Sequence, residues 1–221
     1  MQVSGAQPGE RLVELLTERG ETVASAESLT AGLVAATVAD TPGASTVLLG
    51  GVLAYASRVK VDLLGVPAAL LDRVGTVDPA VAVAMAEGAR SRLGATWALS
   101  TTGVAGPGPA EGKPAGTVHV AVAGPSGTAT RALELKGDRA AVRSGAVREV
   151  LLLALREIAA TPRTPAPPTG AGGTVGLVTP GDPGAHPEQL TTASDPRETR
   201  SDDEPPRRGP EGGPHDDTVA T

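Results

Sequence analysis

The chain has 221 residues, a formal net charge of −6 and no cysteine, which excludes a disulfide scaffold, a thiolate zinc site and a cysteine nucleophile. Histidine is almost as scarce, with only His119, His186 and His215, and no segment approaches the ~18 consecutive apolar residues of a membrane span. The acidic balance argues against nonspecific nucleic-acid binding, and Met1 to Glu10 lacks the basic flank and apolar run of a secretory signal. A cytoplasmic protein without nucleic-acid or membrane partners is expected.

Gly9 to Arg19 carries Leu12, Leu15 and Leu16 at helical spacing, with Gly20 closing the helix. Thr22 to Ala26 predicts a short strand. Ser28 to Ala39 predicts a helix opened by Ser28 or Thr30 and stopped before Pro42-Gly43. Val47 to Tyr55 is an apolar strand whose Gly50-Gly51 pair leaves room for a close approach to the backbone. Ser57 to Leu64 and Pro67 to Arg73 predict short helices. Pro79 to Leu93 predicts a longer one, with Pro in its first turn and Met85, Ala89 and Leu93 along one face. Trp97 to Thr101 is a strand, and Gly103 to Gly116 a Gly/Pro-rich loop. Thr117 to Ala123 and Thr128 to Lys136 are strands joined by the hairpin turn Gly124-Pro125-Ser126-Gly127. Asp138 caps a long helix reaching Ala159, which presents Val142, Ala146, Val150, Leu153 and Ala154.

Composition changes sharply near Thr161. Residues 162–221 hold 12 of the 20 prolines, no aromatic residue and a net charge of −5, leaving −1 for residues 1–161. Such a segment cannot bury enough apolar surface to offset its ordering entropy. The expected organisation is one domain, residues 8–161, and a disordered tail, residues 162–221, either a solvated extension or a partner-binding linker. Strands alternating with helices predict an α/β domain with a mainly parallel mixed sheet flanked by helices. Oligomeric state is not fixed by these features; a homo-oligomer is compatible with them.

Three constellations could carry chemistry. In Ala26-Glu27-Ser28-Leu29-Thr30-Ala31-Gly32 a strand runs through a serine into a helix. A hydroxyl there sits near free backbone N–H groups able to hold an oxyanion, although serine at a helix start is also an ordinary cap. In Tyr55-Ala56-Ser57-Arg58-Val59-Lys60 stand the only tyrosine and one of three lysines. A desolvated lysine loses pKa and can act as general base, and with histidine so scarce a Ser–Lys pair is the economical way to activate a serine. The third is Thr101-Thr102-Gly103-Val104-Ala105-Gly106-Pro107, followed by Glu111-Gly112-Lys113. It follows a strand, where ligands gather in α/β sheets, and Lys113 could meet a phosphate. It is not a P-loop, since no Gly-Lys-Ser/Thr opens a helix. His119, between Val118 and Val120, is expected on the outer face of its strand.

Taken in order, these segments resemble the CinA C-terminal-domain family, the nicotinamide-mononucleotide amidohydrolases. The resemblance runs from Leu12 to Leu155, through Ala26-Glu27-Ser28-x-Thr30-x-Gly32, Pro42-Gly43-Ala44-Ser45, Gly50-Gly51 with Tyr55 and Lys60, Leu64-Gly65-Val66, Met85-Ala86-x-Gly88-Ala89, Thr102-Gly103-Val104-Ala105-Gly106-Pro107 and Lys113-Pro114-x-Gly116-Thr117-Val118. It implies conversion of nicotinamide mononucleotide to nicotinate mononucleotide and ammonia without metal or cofactor. It also implies Ser28 as nucleophile, Lys60 as its base and Tyr55 as a supporting hydroxyl. Glu27, Thr30, Gly32, Gly51, Thr102, Gly103, Gly106 and Lys113 are the positions expected at the substrate, Glu27 in a structural or orienting role. The sequence departs from the family pattern at Leu29 and Ala31, where Cys and Gly are usual, and at Asp78, where Ser is favoured. These departures frame the alternative, a catalytically impaired nucleotide-binding or regulatory module. Full-length members carry an additional N-terminal domain, which is not expected within these 221 residues.

Overall fold

The computed structural model describes residues 7–163. All of the expected tail except residues 162 and 163 lies outside them. The elements run α1 (Pro8–Arg19), β1 (Val23–Glu27), α2 (Leu33–Ala39), a 3-10 turn (Ala44–Thr46), β2 (Leu48–Leu53), α3 (Ser57–Leu64), α4 (Ala68–Val74), α5 (Pro79–Leu93), β3 (Trp97–Gly103), β4 (Thr117–Gly124), β5 (Gly127–Glu134) and α6 (Arg139–Ala160).

The five strands form one sheet in the order β2-β1-β3-β4-β5. β1 is parallel to β2 and β3, while β3–β4 and β4–β5 are antiparallel. The sheet is therefore an even mixture of pairings. The departure from a mainly parallel sheet arises because β3 and β4 are joined by a loop without a crossover helix, and β4 and β5 by a tight turn.

Helices cover both faces. Val118, Val120 and Val122 of β4 pack against Val142, Ala146, Val150, Leu153, Ala154 and Ile158 of α6, with Leu12 and Leu16 of α1 in the same cluster. On the other face Ala82 and Ala86 of α5 meet Ala121 and Ala123, and Met85 and Ala89 join Ala24, Ala26 and Ala98. With so few aromatic side chains, close approach replaces bulk. A Cβ at Gly88 of α5 would run into the carbonyl of Leu64, so this glycine lets the end of α3 lie directly on α5. That contact sets the helix carrying Lys60. Asp78 and Asp138 cap α5 and α6 by accepting from the amides of Ala80 and Ala141.

Helix α2 begins at Leu33, five residues after Ser28. Its N-cap is Gly32, in the left-handed region at φ 95°. Ser28 to Gly32 form a turn, held shut by the bonds from Ala31 N–H to Ser28 O (3.2 Å) and from Leu33 N–H to Thr30 O (3.3 Å). Neither Ser28 nor Thr30 caps the helix, and the reason lies in Glu27.

Candidate active site

The parallel strands β1, β2 and β3 all end on the same side of the sheet, and the site gathers beyond their carboxyl ends. Ser28 follows β1 immediately, Tyr55 lies just past β2, and Gly103 ends β3. Together with Leu29, Thr76, Val77, Ala105, Glu111 and Arg139 they line one cleft. A larger groove between α1, α2 and α6 is lined by Leu33, Thr37, Val147 and Leu151 among others; the cleft at Ser28 is the one that brings a serine hydroxyl and a lysine amine together.

Lys60 is 1% exposed. It enters from α3 beneath the turn, and its ammonium donates to Ser28 Oγ at 3.1 Å, to the Ala54 carbonyl at 2.7 Å and to the Tyr55 carbonyl at 3.3 Å. Burial pushes its pKa down to about 8, with the charge of Glu111 pulling the other way. When neutral, the amine keeps two hydrogens for the two carbonyls, and its lone pair is left to Ser28. The local geometry thus aims the base at the hydroxyl.

Glu27 is 0% exposed. Its carboxylate accepts from Ser25 Oγ (3.0 Å), Thr30 Oγ1 (2.8 Å) and the amides of Gly32 (2.8 Å), Val34 (3.0 Å) and Ala35 (2.9 Å). It caps α2 from the preceding strand, and a negative charge at that end suits the helix dipole. The helix-start amides expected to hold an oxyanion are therefore occupied. The amides of Leu29 and Thr30, next in the chain after Ser28, donate to no backbone or side-chain group among the described residues. Thr30 bonds Glu27 and Thr101 in the same buried network, the two threonine hydroxyls being 2.7 Å apart.

Of the eight positions expected at the substrate, only Gly103 lines the cleft. Gly51 accommodates a neighbouring strand: a Cβ there would collide with Ser25 Oγ. Thr102 is buried and donates to the Thr76 carbonyl at 2.7 Å. Gly106 accepts from Arg139 at 2.8 Å. The ammonium of Lys113 points to the Val74 carbonyl at 3.5 Å. Glu27, Thr30 and Gly32 shape the turn. Tyr55 is 60% exposed, and its hydroxyl accepts from Arg139 at 2.9 Å. What reaches the nucleophile's side of the cleft from Tyr55 is its backbone carbonyl, through Lys60. His119 is buried, not on an outer face, because α5 covers that side of the sheet as α6 covers the other. Its Nδ1 has no hydrogen-bond partner, and burial lowers its pKa against the pull of Asp78.

Three side chains at the site carry no signal in the local sequence. Arg143 of α6 donates from Nε to Leu29 O at 3.0 Å and from Nη2 to Thr30 O at 2.8 Å, clamping the turn that holds Ser28. Arg139, one turn earlier, brings a cation to the cleft wall. Glu111 accepts from the amides of Thr76 (2.7 Å) and Val77 (3.4 Å) and from the Thr76 hydroxyl, so it latches the Gly103–Gly116 loop to the start of α5. Partial burial opposes ionisation, but these bonds hold its carboxyl below the usual range. Only the tertiary fold brings such distant residues together; no periodicity announces them.

The model for the CinA C-terminal domain matches residues 6–158. The chain belongs to the CinA C-terminal domain family. A CinA-like protein of Frankia casuarinae is 50% identical over 158 residues, covering 72% of this chain and 36% of that protein. The chain thus spans about a third of the length of the curated relatives it matches. Among solved structures, a CinA superfamily protein from Klebsiella pneumoniae aligns with a TM-score of 0.67 at 30% identity, over 69% of this chain and 96% of its own. The competence/damage inducible protein CihA of Agrobacterium tumefaciens aligns with a TM-score of 0.64 at 33% identity, over 71% and 99%. The described CinA domain thus has the extent of those separately crystallised chains. None of its described helices is long and apolar enough to cross a membrane.

Proposed function

We propose that this CinA domain is a serine amidohydrolase that converts nicotinamide mononucleotide to nicotinate mononucleotide and ammonia. The observation carrying the reading is the buried Lys60 amine 3.1 Å from Ser28 Oγ. Neutral Lys60 takes the hydroxyl proton as Ser28 attacks the carboxamide carbon. The amides of Leu29 and Thr30 supply the donors for the oxyanion, as preorganised N–H groups do in acyl transfer. Lys60 returns its proton to the departing nitrogen, ammonia leaves, and water cleaves the acyl ester to restore Ser28. Arg139 at the cleft wall offers a positive charge to an anionic substrate.

The three departures from the family pattern leave this machinery in place. Leu29 is buried and contributes its amide, Ala31 points away to solvent, and Asp78 caps α5. Ammonia release from nicotinamide mononucleotide by the purified chain tests the proposal. Release by the wild type and its loss by several orders of magnitude in Ser28→Ala, with an unchanged melting curve, are expected. Binding without turnover in the wild type would instead favour the impaired regulatory module.

A further inference from the structure

Two charged side chains line the cleft at Ser28, one of each sign: Glu111 and Arg139. Among the described residues no ion pair joins Glu111 to Arg139 or to Lys113. Arg139 is held by the Gly106 carbonyl and the Tyr55 hydroxyl, and Glu111 by Thr76 and Val77. The cleft therefore presents two separate charges to whatever enters it.

The backbone at Glu111 is strained. The turn from Ala110 to Lys113 is closed by reciprocal backbone hydrogen bonds of 3.0 and 2.9 Å, with Glu111 at φ 51° and Gly112 at φ 70°. Positive φ at both central positions ordinarily selects Asn-Gly or Asp-Gly. A longer side chain there departs from that rule, and such strain collects at functional sites. Gly75 makes room for the carboxylate, since a Cβ there would collide with its Oε2. With both oxygens fixed on Thr76 and Val77, the group is a stationary negative charge at the cleft wall, not a roaming surface glutamate.

In the same cleft the ammonium of Lys60 donates to Ser28. A carboxamide brought to Ser28 on a neutral ring adds no charge beside that ammonium. Carried on a pyridinium ring, as in nicotinamide mononucleotide, it sets a second cation next to the first, and like charges at short range repel. Glu111 supplies the counter-charge, and Arg139 remains for the phosphate. Resting on the amidohydrolase reading, we infer that Glu111 is a specificity residue, selecting amides carried on a quaternised, cationic ring over those on a neutral ring.

Titration calorimetry on the full chain carrying Ser28→Ala tests it without turnover. The two ligands are nicotinamide mononucleotide and its reduced dihydropyridine form, which share ribose, phosphate and carboxamide and differ at the ring. The oxidised form should bind about fivefold tighter or more, the scale of one part-exposed charge pair. Adding Glu111→Gln should bring the ratio towards one, whereas Glu111→Asp keeps it; loss of a structural latch alone would weaken both forms alike. Molar salt should shrink the ratio as well, which reads the same charge without a second substitution. Equal affinities in Ser28→Ala, a ratio that Glu111→Gln leaves intact, or no binding of either form overturns the inference. Ammonia release by the wild type is read separately: selective binding without release sinks the amidase reading and keeps the specificity, and release without selectivity does the reverse.

Discussion

The side-chain nitrogen of Lys60 lies 3.1 Å from the hydroxyl of Ser28, across thirty-two positions of chain. Two carbonyls hold that nitrogen, and burial lowers its pKa from 10.5 to about 8. At pH 7 about one molecule in ten carries the neutral base. The rate kcat should therefore rise through pH 8 and flatten above it, and Lys60→Met should abolish turnover. Stability follows the same group. Between pH 8 and 10.5 the folded state has released a proton that the unfolded chain still binds, so unfolding takes up a proton and stability rises with pH. Denaturant midpoints measured across that window should climb in the wild type more steeply than in Lys60→Met.

Glu111 places a negative charge where it favours the protonated form of Lys60. Glu111→Gln removes that charge, so the rising limb of the pH–rate profile should move to lower pH. The same change weakens the latch on Thr76 and Val77, which should raise KM. Glu111→Asp keeps the charge and shortens the reach, separating the two effects: KM rises and the limb stays in place.

Glu27 accepts five hydrogen bonds while wholly buried, three of them from backbone amides of the α2 start. Glu27→Ala leaves those donors without an acceptor, at a cost of roughly 3 kcal/mol or more. Chemical denaturation measures it directly. Glu27→Gln keeps an acceptor oxygen and should lose less.

Ala31 holds a left-handed backbone, φ 51°, without being glycine. That conformation costs an L-residue about 1 kcal/mol. Its side chain is exposed, so Ala31→Gly relieves the strain without opening a cavity. A thermal melt should show a gain of a few degrees, for a domain of this size, at unchanged kcat.

Arg143 forks onto the carbonyls of Leu29 and Thr30. Arg143→Gln should lower kcat by about 10²-fold through misplacement of Ser28 and its neighbouring amides, with a smaller change in KM. Lysine should not rescue it, because a point charge cannot reproduce a planar two-pronged donor.

The amino-acid sequence by itself determined the elements and the order of the site. Leucines at helical spacing, Pro79 and Asp78 at the start of α5, Asp138 before α6 and the Gly124–Gly127 turn are local signals, and each element they mark is present. The motifs carrying the family resemblance marked Ser28 and Lys60 as a pair. The tertiary structure alone decided what those motifs do. Glu27, read as structural or orienting, is the cap of α2, the close approach expected at Gly50-Gly51 is that of Gly51 to Ser25, and His119 turned from a surface residue into a buried one. Arg143 and Glu111 entered the site from 113 and 35 positions away. Backbone propensity and hydrophobic period act over a few residues, whereas the partner of a buried carboxylate or guanidinium is set by which elements pack together. Only the folded sheet and its two helical layers determine that.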